Sequence, residues 1–159
     1  MEWRTSPAPA AFRAIFAASR LPEHVARRQA AHLQARLGPQ LPVELQAGGG
    51  QDPGSLVFIW GPRAGFAALG ARGKPAEQVA DEAADAYLTF QQRQAAVDRH
   101  LADQLVLYLP QARGPSVLVT SEITPHLLTN LWVIEQFLGP VFKVQGNPGE
   151  RGEVFCLGR

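Results

Sequence analysis

The side chain best suited to chemistry is His126, in the stretch SEITPHLLTN at residues 121–130. It follows a proline where a predicted strand meets a predicted helix. Helix starts favour small capping residues for their unpaired N–H groups, so an imidazole here needs an explanation. Near pH 7 a neutral imidazole is a nucleophile, which makes covalent catalysis one possibility. On the residues alone, a helix cap or a side chain packed beneath Trp132 is the simpler explanation.

A second group of polar side chains lies in HLADQ, residues 100–104. His100, Asp103 and Gln104 stand at i, i+3 and i+4, so a helix places them on one face. A carboxylate accepts hydrogen bonds from amino and hydroxyl groups, an amide both donates and accepts, and an imidazole stacks on a base. On the pattern alone, the solvated polar face of an ordinary amphipathic helix is the simpler interpretation. The core stripe predicted for the same helix is Leu101, Leu105 and Tyr108.

Composition excludes several classes of protein. Fifteen Lys and Arg against fourteen Asp and Glu leave the 159 residues near neutral, so no global field indicates a polyanion partner. The single cysteine, Cys156, excludes an internal disulfide and a Cys-rich zinc site, and we expect it to be buried. His24 and His32 lack metal-ligand spacing, so no structural metal is predicted. Without a membrane-spanning apolar run or a leader pattern, we expect a cytoplasmic protein that binds no membrane.

The periodicity predicts an α+β chain in two parts. The first, residues 9–95, is a small α/β sandwich with two helices on one face of a four-stranded sheet. Its strands are predicted at 12–19, 42–46, 55–61 and 65–70, and its helices at 22–38 and from Pro75 onward. The second part, residues 96–159, has the pattern of an incomplete module. Its helices are predicted at 97–109 and 126–139, its strands at 116–123, 141–145 and 152–158.

Four stretches together resemble the RNA 3'-terminal phosphate cyclases: LPEHVARRQA, GKPAEQVADEAADAYLTF, AVDRHLADQLVLYL and PHLLTNLWVIEQFLG. The resemblance covers nearly the whole chain, and the combination of HLADQ with HLLTN is its specific part. It implies a core of three βαβαββ repeats with a small α+β domain inserted in the third. Residues 9–95 would then be the insert, and residues 96–159 would complete the third repeat.

The resemblance also implies an activity, namely ATP-dependent conversion of an RNA 3'-phosphate to a 2',3'-cyclic phosphate with release of AMP and diphosphate. His126 matches the histidine that becomes covalently linked to AMP. Asp103 and Gln104, and less closely His100, match the nucleotide pocket. Mg²⁺ or Mn²⁺ is implied as well, with ligands expected mainly outside this chain. Thr129 and Asn130 are either supports of the His126 loop or ordinary helix-surface residues.

Departures from the family pattern bear on activity. The repeats that carry the triphosphate and metal contacts in relatives are absent from the sequence, so we expect the chain to be inactive alone. The prolines of MEWRTSPAPA make that segment a poor central strand. We therefore expect an open sheet edge and exposed apolar faces, which predict a partner polypeptide that carries the missing repeats, self-association or aggregation. The alternative function is a non-catalytic, cyclase-like interaction module in RNA processing.

An RNA surface is harder to assign from the sequence. Residues 1–38 contain six arginines against Glu2 and Glu23, an excess that either meets phosphates or solubilises a helix. The second predicted helix is acidic at its start, and we expect it to face away from RNA. Its acidic residues are Glu77, Asp81, Glu82 and Asp85.

Overall fold

The computed structural model describes residues 2–158, which form eight strands and four α-helices. In chain order the elements are β1 (Glu2–Trp3), β2 (Arg13–Ser19), α1 (His24–Leu37), β3 (Val43–Ala47), β4 (Gly54–Gly61), β5 (Ala64–Leu69), α2 (Ala76–Arg93), α3 (Arg99–Leu105), β6 (Ser116–Thr120), α4 (Pro125–Leu138), β7 (Phe142–Gln145) and β8 (Gly152–Cys156). No helix in the described part of the chain is both long and apolar enough to cross a membrane.

The chain divides into two compact units. The first, here called the sandwich unit, is Ala8–Thr89, and the second, here called the histidine unit, combines Met1–Pro7 with Phe90–Arg159. Along the sequence, the boundary falls in the last turn of α2.

The sandwich unit contains a four-stranded sheet in the order β3-β2-β4-β5, in which only the β2–β3 pair is parallel. Alternate residues of its strands are buried, as expected when one face packs on helices. Tyr87 of α2 meets the rings of Phe12 and Phe66 edge-on, at centroid distances of 5.1 and 5.9 Å. The prediction of an α+β fold with four strands and two helices is confirmed for this part of the chain.

Helices α1 and α2 are joined by a row of ion pairs, here called the ion ladder. Arg28 forms two hydrogen bonds of 2.9 Å with the Glu77 carboxylate, and His32 Nε2 lies 2.8 Å from Asp81 Oδ1. Arg36 donates to Asp81 Oδ1 at 2.7 Å and also to Asp85. The basic residues on α1 and the acidic residues on α2 each recur every four positions, so each helix presents one charged stripe to the other.

The ion pairs of the arginines bear on the basic excess of residues 1–38, for which both a phosphate contact and a solubilised helix face were open. Four of the six arginines form ion pairs with carboxylates; they are Arg4, Arg27, Arg28 and Arg36. Arg13 and Arg20 have no ion pair with another residue in the range 2–158. The acidic stripe of α2 pairs with Arg28, His32 and Arg36, and Arg27 pairs with Glu23, so these cations of α1 already have carboxylate partners.

The histidine unit is organised around strand β6, whose five residues are all buried. The sheet order is β1-β6-β8-β7, with β1 parallel to β6 and the β6–β8 and β7–β8 pairs antiparallel. The side chains of α3 and α4 pack with this sheet in one core, which includes Ala102, Leu118, Leu127 and Val154. The free thiol of Cys156 is buried, as predicted, and burial raises its pKa.

The predicted helix at 97–109 is too long at both ends. Val97 forms a parallel bridge with Thr120, and its N–H donates to the Val119 carbonyl at 3.1 Å, so it extends the sheet instead of starting α3. After Leu105 the chain tightens, and Leu109–Gln111 form a 3-10 turn that contains Pro110. The predicted core position of Tyr108 is wrong, because its side chain is 60% exposed.

The segment MEWRTSPAPA supplies a strand of only two residues, and that strand is at the sheet edge. The expected exposed apolar surface is present on α4, where Trp132 is 61% and Phe137 83% exposed. Surfaces of this kind are typical of sites that another protein segment covers.

We expect Asp81→Asn to destabilise the chain at neutral pH by at most about 1 kcal/mol, since the ion ladder is largely exposed. The His32 hydrogen bond, helped by Arg36, holds the pKa of the Asp81 carboxyl below its ordinary value of 3.8. Its stabilisation is therefore complete above pH 3.8 and is lost as the pH falls through the lowered value in the folded chain.

Urea denaturation of wild type and Asp81→Asn at a series of pH values measures this difference. The matched control is Asp52→Asn, an exposed carboxylate with no ion pair among residues 2–158, which should leave the free energy of unfolding unchanged. A difference between wild type and Asp81→Asn that stays constant into strong acid would contradict the prediction.

Candidate active site

His126 is the second residue of α4, and its imidazole is 88% exposed. The helix cap is Thr124, whose hydroxyl accepts from the Leu127 N–H at 3.0 Å, with Pro125 as the first helical residue. Both simpler explanations for the histidine therefore fail, since it neither caps the helix nor packs beneath Trp132. Of the N–H groups in the first turn, Leu127 and Leu128 bond to Thr124 and proline has none. The N–H of His126 has no hydrogen-bond partner among residues 2–158.

Asp98 fixes the start of α3, the helix that carries the HLADQ residues. Its carboxylate, which is buried, accepts from the N–H groups of His100 and Leu101, each at 2.7 Å. Sequence reasoning missed this residue, although an Asp just before an amphipathic run is an ordinary helix-start signal. A cap of this kind is needed because a helix of seven residues is marginal by itself.

Asp103 links α3 to α4 at the histidine. Asn130 donates from Nδ2 to the Asp103 carboxylate and, at 3.4 Å, to the Asp103 backbone carbonyl. The other carboxylate oxygen, Oδ2, lies 3.9 Å from His126 Nδ1, within ion-pair distance but beyond a hydrogen bond. Asn130 is thus a support of the site, whereas Thr129 only donates back to the Pro125 carbonyl at 2.9 Å.

A groove of about 560 Å³ lies between α3 and α4 beside this contact. Its polar lining consists of Asp103, Gln104 and Asn130, and its apolar lining includes Leu101, Leu105, Tyr108 and Val133. A groove that is mostly apolar with a few convergent polar groups is typical of small-molecule sites. Of the four predicted site residues, Asp103 and Gln104 line this groove, and His126 approaches Asp103 but is not among the lining residues.

His100 is not among the residues that line the groove, although it shares a helical face with Asp103. Its ring is exposed, and Arg99 Nε lies 3.3 Å from His100 Nε2. It forms no hydrogen bond or ion pair with Asp103 or His126 among residues 2–158.

Arg93 holds the loop that precedes His126, and sequence reasoning missed this role too. Its guanidinium donates to the Ser121 carbonyl at 2.7 Å and to the Gly149 carbonyl at 3.1 Å. It also lies 3.4 Å from the Glu122 carboxylate, which Arg99 approaches to 3.6 Å. Nothing in the local sequence pattern predicts these contacts, since they join segments about thirty and fifty residues apart along the chain.

Across residues 2–158 there is no group of three or more His, Cys, Asp or Glu side chains that could hold a metal ion. His126 and Asp103 alone would offer a divalent cation two ligands, fewer than a protein cage for Mg²⁺ or Mn²⁺ supplies. The residues of this chain do not fit a complete metal site.

Comparisons with known proteins agree on one family. Residues 8–144 match the family model described as RNA 3'-terminal phosphate cyclase. Proteins named RNA 3'-terminal phosphate cyclase match with 45% identity over 99% of this chain in Thermococcus onnurineus, and with 42% identity over 86% in Pyrococcus furiosus. One from Pyrobaculum neutrophilum is 43% identical over 86% of the chain. The chain spans about half the length of these curated relatives, between 42% and 47%.

We expect Asp98→Ala to lower the free energy of unfolding by about 1–2 kcal/mol, because two N–H groups of α3 lose their acceptor. Asp98→Asn keeps one acceptor oxygen and should cost less than half as much. Urea denaturation monitored by circular dichroism measures both variants. Equal losses for the two variants would show that the negative charge, rather than the cap, stabilises the helix.

Proposed function

The chain belongs to the RNA 3'-terminal phosphate cyclase family, and we propose that it is the part of such an enzyme that carries the covalent AMP acceptor. The proposed overall reaction is the ATP-dependent conversion of an RNA 3'-phosphate to a 2',3'-cyclic phosphate. ATP and RNA 3'-phosphate ends are the proposed ligands, and His126 is the proposed nucleophile.

The single observation that carries the proposal is the Asp103 carboxylate, held by Asn130 and lying 3.9 Å from His126 Nδ1. A small rotation of the imidazole would let Nδ1–H donate to this carboxylate. The lone pair would then be on Nε2, which points away from Asp103 toward solvent or substrate. A carboxylate behind the ring also stabilises the positive charge that the imidazole acquires when Nε2 forms a bond.

The proposed first step is attack of His126 Nε2 on the α-phosphorus of ATP. The N–P bond forms as the bond to the bridging oxygen breaks, and diphosphate leaves. An oxygen of the RNA 3'-phosphate then attacks the same phosphorus and displaces the imidazole. Finally the 2'-hydroxyl attacks the terminal RNA phosphorus and AMP leaves. The N–H of His126 and the positive end of the α4 dipole favour the anionic phosphate at each stage.

We assign the groove between α3 and α4 to the nucleoside part of ATP. Gln104 is exposed at its rim and offers an amide that can both donate to and accept from an adenine edge. The ring of Tyr108 is exposed at the same groove and could stack on the base. His100 remains a weaker candidate for the same ligand, because it contacts Arg99 instead of the groove.

The remaining requirements of the reaction are assigned to polypeptide beyond these residues. Since two ligands do not complete a metal site, we propose that Mg²⁺ or Mn²⁺ is held mainly by a segment that carries the other core repeats. That segment is also the proposed partner of the apolar surface on α4. In this assignment residues 9–95 are the insert domain and residues 96–159 complete the last repeat. A reducing compartment such as the cytoplasm suits the single buried thiol.

Incubation of the chain with α-labelled ATP and a divalent metal, with and without a polypeptide carrying the other repeats, tests the nucleophile. Label should stay on the protein through denaturation, be lost in acid, and be absent from His126→Ala. We expect strong labelling only with the partner polypeptide. Absence of label under both conditions would overturn the covalent mechanism and favour the non-catalytic interaction module.

We expect Asp103→Asn to slow AMP transfer to His126 by at least about ten-fold, because a carboxylate that holds a catalytic histidine in the correct tautomer has a large effect on rate. The amide N–H would donate to Nδ1 and move the imidazole proton to Nε2, which removes the nucleophilic lone pair. Single-turnover labelling at saturating ATP measures the rate without the binding step. Asp52→Asn is the control, and equal rates for wild type and Asp103→Asn would contradict the role of the carboxylate.

A further inference from the structure

One face of the sheet in the sandwich unit is not used by its core. The residues of β2 and β4 that alternate with the buried ones point to this face, and their side chains are half-buried or exposed. This face of the sheet is here called the open face. Its residues are Arg13, Ile15, Ala17, Leu56, Phe58, Trp60, Gly65 and Ala67. Helices α1 and α2 cover the opposite face, where Ala14, Phe16, Val57 and Ile59 are buried.

Two aromatic rings lie together on the open face. Phe58 and Trp60 are two residues apart on β4, with ring centroids 5.6 Å apart and planes within 7° of parallel. Their neighbours across β5 are Ala67 and Gly65, which are too small to cover the rings. A Cβ at Gly65 would come within 3.0 Å of the Phe58 ring, so that ring lies directly against the glycine backbone.

Charge at this end of the sheet favours an anionic partner. Arg13 is directly opposite Trp60 on β2, is exposed, and has no ion pair with another residue in the range 2–158. Arg63 lies in the turn that follows β4 at the same end, and residues 54–70 contain no Asp or Glu. The acidic residue of this face, Glu44, is on β3 opposite Ile15, away from β5. A polyanion would therefore lie over β4 and β5 with its phosphates toward Arg13.

We propose that the open face is a stacking surface for unpaired bases of single-stranded RNA, with Trp60 and Phe58 as the platforms and Arg13 as a phosphate contact. A four-stranded sheet that presents aromatic rings on its outer face is one of the recurring ways in which proteins bind unpaired nucleotides. Stacking tolerates any base, so this surface adds affinity for RNA without sequence preference. The choice of RNA over other single strands rests on the proposed function.

The platform is tested by fluorescence anisotropy of the full chain with a labelled single-stranded oligoribonucleotide of about ten nucleotides. Trp60→Leu keeps an apolar side chain but removes the ring, and should weaken binding about 5- to 150-fold. Trp60→Phe keeps a ring and should stay within about three-fold of wild type. Trp132→Leu, at an exposed tryptophan of α4, is the matched control and should bind as wild type.

The phosphate contact has a separate readout in the salt dependence of binding. Arg13→Gln should lower the slope of log Kd against log salt concentration by about 0.7, the value for one phosphate contact on a single strand. Arg13→Lys keeps the charge and should keep the slope. An unchanged slope in Arg13→Gln would remove Arg13 from the proposed surface.

Equal affinity of Trp60→Leu and wild type for the oligonucleotide, with both folded by circular dichroism, would overturn the proposal. So would a change of oligomeric state in Trp60→Leu, measured by light scattering, because the face would then be a protein interface. Asp52→Asn should bind the oligonucleotide as wild type does, since Asp52 is an exposed residue outside the open face. RNA binding that depends on Trp60, without labelling of His126, would support this surface and contradict the covalent mechanism. Labelling of His126 with RNA binding that does not depend on Trp60 would support the covalent mechanism and contradict this surface.

Discussion

The contact between Asn130 of α4 and Asp103 of α3 is the constraint on which the candidate site depends. Helix α3 has seven residues and would not be stable alone, so both of its ends need stabilising contacts. Asp98 caps the N-terminus of α3, and the Asn130 hydrogen bonds fix the position of Asp103. Without these hydrogen bonds, nothing would fix the Asp103 carboxylate beside the His126 imidazole, which is otherwise exposed to solvent. Proximity of these groups is a property of two helices packed together, not of either helix.

Strand β6 gives that pair of helices a rigid base. All five of its residues are buried, and it is paired by β8 on one side and by β1 and Val97 on the other. The chain leaves β6 through a bend whose carbonyls Arg93 binds, and it enters α4 at the Thr124 cap. The backbone of the second residue in a capped helix has a fixed position, even when the side chain of that residue is exposed. This is the usual arrangement for a reactive group, which must reach substrate while its backbone stays fixed.

Charge is distributed in this molecule in a way that composition conceals. Arg28 and Arg36 of α1 pair with the acidic stripe of α2 and Arg27 pairs with Glu23, so the most basic segment of the sandwich unit already has carboxylate partners. Arg13 has no ion pair with another residue in the range 2–158, and it is next to an aromatic pair. Affinity for RNA in such a protein would depend on stacking with modest electrostatic help, which makes it less sensitive to salt than binding by a basic patch.

The sequence by itself determined the elements, because hydrophobic periodicity and the Gly and Pro stops are local properties. It also indicated the family through HLADQ and HLLTN, and it predicted His126, Asp103 and Gln104, of which Asp103 and Gln104 line one groove and Asp103 approaches His126. Only the tertiary structure decided that Val97 joins the sheet, that Tyr108 is exposed, and that Asn130 and Arg93 support the site. Each of those outcomes depends on a partner far away in the chain, where pairing and packing override local propensity. The same reason explains the arginines of α1, whose availability depends on a helix some fifty residues later.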